Sequence, residues 1–264
     1  MRTALLLMGL LAAGCGTPEI NFQPVSGVFV PGQAVLIDLS HPIGSGPPLD
    51  HEVPFARQPA STPHGGRENV LTLSDRHGTR IEAPSFLVQG QLSVDRLSAG
   101  SLVGNAVVVD VSKLAAQDPD YRLTMHDVTF WEERNGLMPG GAIVVMRSGW
   151  SQRYGRRDLN GRDLYLNADA GGVPHYPGVD PETVRALMLR GVTAIAVDTA
   201  SIEGGLSTEP TGHKILMEGG HYVIENLTGL ERVPVKGATL FVAPLKLSDG
   251  GAAPARVFAL VPRP

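Results

Sequence analysis

The chain has 264 residues, 42% hydrophobic and 18% charged, with a formal net charge of −4. That length can bury a sizeable core, and no Lys/Arg cluster supplies the electrostatic footprint of a nucleic-acid binder. With 32 Gly and 21 Pro, many turns and loops are expected, the setting in which loop-built sites form.

In chain order, Arg2 precedes an apolar run over residues 4–13, followed by Gly14-Cys15. The run is too short to span a bilayer as a helix and has the shape of a secretory signal. Ala12-Ala13-Gly14-Cys15 resembles a bacterial lipoprotein cleavage box, which makes Cys15 the candidate lipidation site. Cys15 is the only cysteine, and a thiol-free mature domain suits an oxidising compartment. The expectation is a signal over 1–14, a tether over 15–32, one domain over 33–264, and a place in the cell envelope held by a lipid anchor.

Residues 34–39 read as a strand, 41–68 as a long Pro/Gly/His-rich loop and 69–73 as a strand. The β-branched run 106–111 and residues 142–146 read as buried strands. Thr124 with Asp127 gives a capping box for a helix that stops at Gly136. Asp180-Pro181-Glu182 combines a cap, Pro at the first helical position and an acid near the positive helix end. That helix shows Val184, Leu187 and Met188 on one face and stops at Gly191. A strand over 194–197 follows, then a short helix over 214–217 and strands over 222–224, 239–242 and 257–261. Strands alternating with a few helices predict an α/β class.

Several segments together resemble the cyclase family, the metal-dependent amide hydrolases that include kynurenine formamidase and isatin hydrolase-like proteins. The stretch from Val35 to Pro42 matches its opening strand. Gly78-Thr79-Arg80-Ile81-Glu82-Ala83-Pro84 matches its signature, His-x-Gly-Thr-His-x-Asp-x-Pro-x-His. Met146-Arg147-Ser148-Gly149-Trp150, Tyr176-Pro177-Gly178-Val179 and Val197-Asp198-Thr199-Ala200-Ser201 match further stretches, and His213 with Glu225 matches the C-terminal ligand pair. The match runs from about residue 34 to 245. The resemblance implies a single domain of the swivelling β/β/α type with a mixed sheet and a few helices. It also implies homo-oligomers, a small amide-type substrate, and one or two divalent ions, commonly Zn or Mn, that polarise a carbonyl and activate water.

The signature is degenerate. Arg76, Arg80, Glu82 and Phe86 stand where the family has His, His, Asp and His. A guanidinium stays protonated and offers only donors, so neither arginine ligates a metal, and Phe86 cannot move a proton. His77 sits one residue from a ligand position, and one residue reverses side-chain direction in extended chain; it is carried as a candidate relay. By the resemblance, Glu82, His213 and Glu225 correspond to the ligands of one ion, and the lost histidines served the other.

Two arrangements stay open. In one, Glu82, His213 and Glu225 hold one ion while Arg76 and Arg80 replace the lost cation and pin an oxyanion. In the other, two arginines and two carboxylates form a metal-free polar cluster of zero charge. They correspond to an arylformamidase-like hydrolase and to a non-catalytic lipoprotein that keeps the fold for binding. The remaining histidines read as structural: His41 as a hydrogen-bonded loop residue, His51, His64, His126 and His175 as surface residues, His221 as structural. Trp150 lines a pocket or belongs to the core. Asp198 ends a strand, where α/β sites collect polar groups.

Overall fold

A computed structural model describes residues 33–44, 54–62 and 64–263. Cys15, the cleavage box, the tether through residue 32 and His51 lie outside the described residues.

The elements, in order, are β1 (Ala34–Asp38), β2 (Ala56–Ala60), β3 (Glu68–Thr72), β4 (Arg80–Glu82), β5 (Val103–Asp110), α1 (Ser112–Gln117), β6 (Arg122–Leu123), α2 (Met125–Asn135), β7 (Ile143–Arg147), β8 (Gly178–Val179), α3 (Pro181–Leu189), β9 (Ala194–Val197), α4 (Thr211–Glu218), β10 (Tyr222–Glu225), β11 (Thr239–Pro244) and β12 (Ala252–Pro262). One mixed sheet runs β1-β12-β11-β5-β7-β9-β10-β4, with β5, β7, β9 and β10 parallel. The first residues of β12, Ala252–Pro254, pair with β4, while its later residues pair with β11 and β1. This double use of β12 closes the sheet into a barrel-like wall, so the α/β class and the mixed sheet hold.

Alternation along the strands makes two cores. Ala106, Val108, Ile143, Val145, Ala194, Ala196 and Ile224 face one; the many alanines suit the narrow interior of a closed sheet. Val107, Val109, Val144, Met146, Ile195, Val197 and Val223 face the other, where they meet Val128 and Trp131 of α2, Val184 and Leu187 of α3, and Leu216 and Met217 of α4. Each such buried aliphatic contributes about 1.5–3 kcal/mol.

The helix signals operate as expected. Asp127 accepts from the Thr124 backbone N–H at 2.8 Å, and Asp180 accepts from the N–H groups of Glu182 and Thr183. Three expectations need correction. The loop over 41–68 contains β2, which pairs with β3 as an exposed hairpin. The last short helix starts at Thr211 rather than 214, placing His213 in its first turn. His175 is not a plain surface residue: its Nδ1 lies 2.8 Å from Asp120, and that carboxylate raises its pKa.

Candidate active site

The site grows from the shortest named strand on the barrel wall. In β4, residues two apart point to one face, so Arg80 and Glu82 project together while Ile81 enters the inner core. Across the strand pair, Arg80 stands opposite Glu225 in register, and directly opposed residues of an antiparallel pair share a face. The three charges therefore meet on the side of the sheet that carries the helices. There α4 covers the sheet with Leu216 and Met217, and His213, three and four residues earlier, lies on the same helix face.

The contacts are close and mostly buried. Glu82 and Glu225 are fully buried, and Arg80 is 2% exposed. Arg80 Nε donates to Glu82 Oε1 at 3.0 Å, and Nη2 donates to Glu225 Oε2 at 2.5 Å and to the Ala200 carbonyl at 2.8 Å. Arg76 Nε donates to the same Glu82 Oε1 at 2.9 Å. Both arginines thus act on one side of the carboxylates. On the other side, His213 Nε2 lies 3.1 Å from Glu225 Oε1 and 3.4 Å from Glu82 Oε2.

One ligand atom each from Glu82, His213 and Glu225 lies within 4.8 Å of the other two. Tetrahedral bonds of about 2 Å put ligand atoms roughly 3.3 Å apart, so a small adjustment seats one divalent ion. Glu82 Oε2 and His213 Nε2 are buried 3.4 Å apart with no hydrogen bond of good geometry to either; a bound cation would take the place of the proton that the carboxylates hold on Nε2. The residues present fit one ion. A second would need ligands at Arg76 and Arg80, where only donors stand.

Sequence reasoning missed Glu203. Its Oε1 accepts from His213 Nδ1 and from the His213 backbone N–H, each at 2.8 Å, and its Oε2 accepts from the Gly212 N–H at 3.2 Å. Pro210, at the N-cap of α4, offers no side-chain cap; Glu203 does that work from the loop after β9. By engaging Nδ1 it turns Nε2 toward Glu82 and Glu225, the carboxylate–histidine arrangement that orients metal-binding imidazoles. Burial disfavours charge on His213, but the carboxylates of Glu203, Glu225 and Glu82 outweigh it and hold the imidazole well above its usual pKa. Burial likewise opposes charge on Glu82, yet His213, Arg80 and Arg76 keep it well below the usual carboxylate range. No local pattern announces Glu203, ten residues before His213; only the missing cap at Pro210 hints at a distant acceptor.

A cleft of about 520 Å³ opens onto this cluster, with Arg76, Phe86, Leu87, Leu166, Tyr176 and Ser201 among its walls. One wall needs glycine. A Cβ on Gly178 would meet the Gly204 nitrogen at 2.4 Å, and one on Gly205 the Pro174 carbonyl oxygen at 2.5 Å. Only bare backbone lets these two loops pack together.

The structure gathers Arg76, Arg80, Glu82, His213 and Glu225, and leaves His77 out. His77 is buried and does not border the cleft; its ring lies tilted against Phe55, 5.8 Å between centroids. Burial and the charge of Arg80 push its pKa down. Trp150 belongs to the core, its indole N–H donating to the Tyr165 carbonyl. Asp198 is fully buried and holds Ser148 and Gly149 through three hydrogen bonds. His41 stacks on Tyr154 at 3.8 Å, and burial lowers its pKa to about 4.

The Cyclase family model matches residues 37–204. The chain is 33% identical over 204 residues to isatin hydrolase of Roseibium aggregatum, covering 74% of this chain and 75% of that protein. It is 28% identical over 186 residues to kynurenine formamidase of Salinibacter ruber, covering 70% and 76%. The solved structure of isatin hydrolase A from Labrenzia aggregata, bound to benzyl benzoate, superposes with a TM-score of 0.77 at 32% identity, covering 87% of this chain and 94% of that one. With the barrel-like mixed sheet and the matched segments in order, the chain belongs to the cyclase family, alongside relatives that are hydrolases by name.

Proposed function

We propose that this chain hydrolyses the C–N bond of a small amide or cyclic amide, using one divalent ion, Zn or Mn, held by Glu82, His213 and Glu225. The observation that carries the reading is the convergence of one ligand atom each from Glu82, His213 and Glu225 within 4.8 Å of one another, with His213 Nε2 on the side away from the arginines. When bound, such an ion supplies Lewis acidity toward a carbonyl and lowers the pKa of water.

The chain's own residues do the rest. Glu203 fixes the imidazole so that Nε2 faces the two carboxylates. Arg80 holds Glu82 Oε1 and Glu225 Oε2, leaving for the ion Glu82 Oε2 and a second lone pair of Glu225 Oε1, which also accepts from the Ile202 N–H at 2.9 Å. Arg76, at the cleft, places positive charge where an oxyanion develops. Phe86 and Leu166 wall the cleft. The leaving amine takes its proton from solvent, since Phe86 has none to give and His77 does not border the cleft.

The test is hydrolysis of isatin and of N-formylkynurenine, followed by absorbance with Zn or Mn and with chelator. Ion-dependent turnover is expected, and His213→Ala should lower it at least about a hundredfold by removing a ligand and its orienting bond. A second reading, a non-catalytic binding protein, draws on Phe86 at the proton-shuttle position. It also draws on charge: Arg76, Arg80 and protonated His213 balance Glu82, Glu203 and Glu225. Ion binding with no turnover of any amide tested would favour that reading.

A further inference from the structure

We propose that Arg76 is the anion-recognition residue of the cleft, and that the ligands of this chain are small carboxylates with an aromatic or apolar body. Two substitutions that look like separate losses in the sequence form one unit in the structure: the Arg76 guanidinium carbon lies 4.9 Å from the centroid of the Phe86 ring. The ring face attracts the cation, and the bond from Arg76 Nε to Glu82 Oε1 at 2.9 Å fixes it from the side. A guanidinium held by its Nε and one face keeps its Nη edge for a ligand, and that edge matches a carboxylate in a two-pronged hydrogen bond. The Arg76 side chain makes no other hydrogen bond to the described residues, is 37% exposed and borders the cleft.

The other charges nearby are engaged. Arg80 is turned inward onto Glu82, Glu225 and the Ala200 carbonyl. Glu203 serves His213 and Gly212, and Glu209 lies 3.5 Å from Lys214. An anion entering the cleft therefore meets a guanidinium whose opposing carboxylates already have partners. The cleft volume of about 520 Å³ is that of a small-molecule site. Phe86, Leu87, Leu166 and Tyr176 offer flat, apolar contact to the body of the ligand. The inference deepens the reading of this cleft as a substrate site and names the class it accepts; it does not depend on the ion.

The experiment is a calorimetric titration of the purified protein with benzoate and with benzamide, a neutral molecule of nearly the same shape, once in chelator and once with Mn. Benzoate should bind at least about tenfold more tightly than benzamide, as expected for a charge-assisted pair, in chelator as well as with Mn. Arg76→Gln should weaken benzoate about tenfold or more while leaving benzamide unchanged. Arg76→Lys, which keeps the charge without the fork, should fall between, and it serves if the glutamine variant fails to fold. Equal affinity for the two probes, no binding of benzoate, or an unchanged benzoate affinity in both variants would overturn the proposal. Benzoate binding in a protein that takes up no Mn would leave the anion site standing and remove the one-ion hydrolase.

Discussion

Arg80→Ala should destabilise the metal-free protein by about 3–5 kcal/mol, the cost of breaking a buried ion pair from one side. The reason is geometric. Arg80 touches both fully buried carboxylates, and its removal leaves Glu82 and Glu225 facing each other with Arg76 and His213 alone to offset them. For a chain of this size the melting temperature should fall by on the order of 10 °C. A divalent ion should raise it again, and by more than in the parent, because a cation then re-enters a site that has lost one. Thermal melts of parent and variant, each with chelator and with Mn, measure both effects. A variant that melts with the parent would mean that the guanidinium carries no such burden.

The double substitution Arg76→His/Arg80→His should create a second ion site. Histidines at these positions restore two of the four altered signature residues, and imidazole nitrogens can ligate where guanidinium groups only donate. The carboxylate oxygens that Arg80 now holds, Glu82 Oε1 and Glu225 Oε2, become available on the same side as the new imidazoles. The expected result is an increase from one to two ions per chain by elemental analysis. Adding Phe86→His supplies the missing proton donor, a step worth roughly 10²–10⁴-fold in rate. An unchanged ion content would show that the backbone of β4 no longer presents the ancestral geometry.

Much of the fold was legible because its signals are local. The β-branched run behind β5 and the apolar runs behind β7 and β9 mark the parallel centre of the sheet, and Asp180-Pro181-Glu182 marks the start of α3 in three residues. β4 is not legible as a strand, since Arg80-Ile81-Glu82 carries two charges around one apolar residue. It becomes a strand through pairing with β10 and β12, about 140 and 170 residues away along the chain. β2 escaped for a related reason: Ala-Arg-Gln-Pro-Ala shows no alternation, and its pairing with β3 alone makes it a strand.

The site divides along the same line. Glu82, His213 and Glu225 are legible through the ordered motifs; cross-strand register brings Glu82 and Glu225 to one face, and the first turn of α4 sets His213 over them. Glu203 lay beyond reach, because its role is set by where the loop after β9 passes the first turn of α4. The inward turn of Arg80 and the seating of Arg76 on Phe86 likewise depend on the folded chain. The sequence could count charges at this site, but only the fold could assign one arginine to the carboxylates and the other to the cleft.

The central claim is that Arg80 occupies the place of one cation while Glu82, His213 and Glu225 retain a place for another. Calorimetric titration of Mn into the chelator-treated protein tests it most directly. One ion per chain, lost in His213→Ala, is the predicted result. No uptake would contradict the retained site, and two ions per chain would contradict the role given to Arg80.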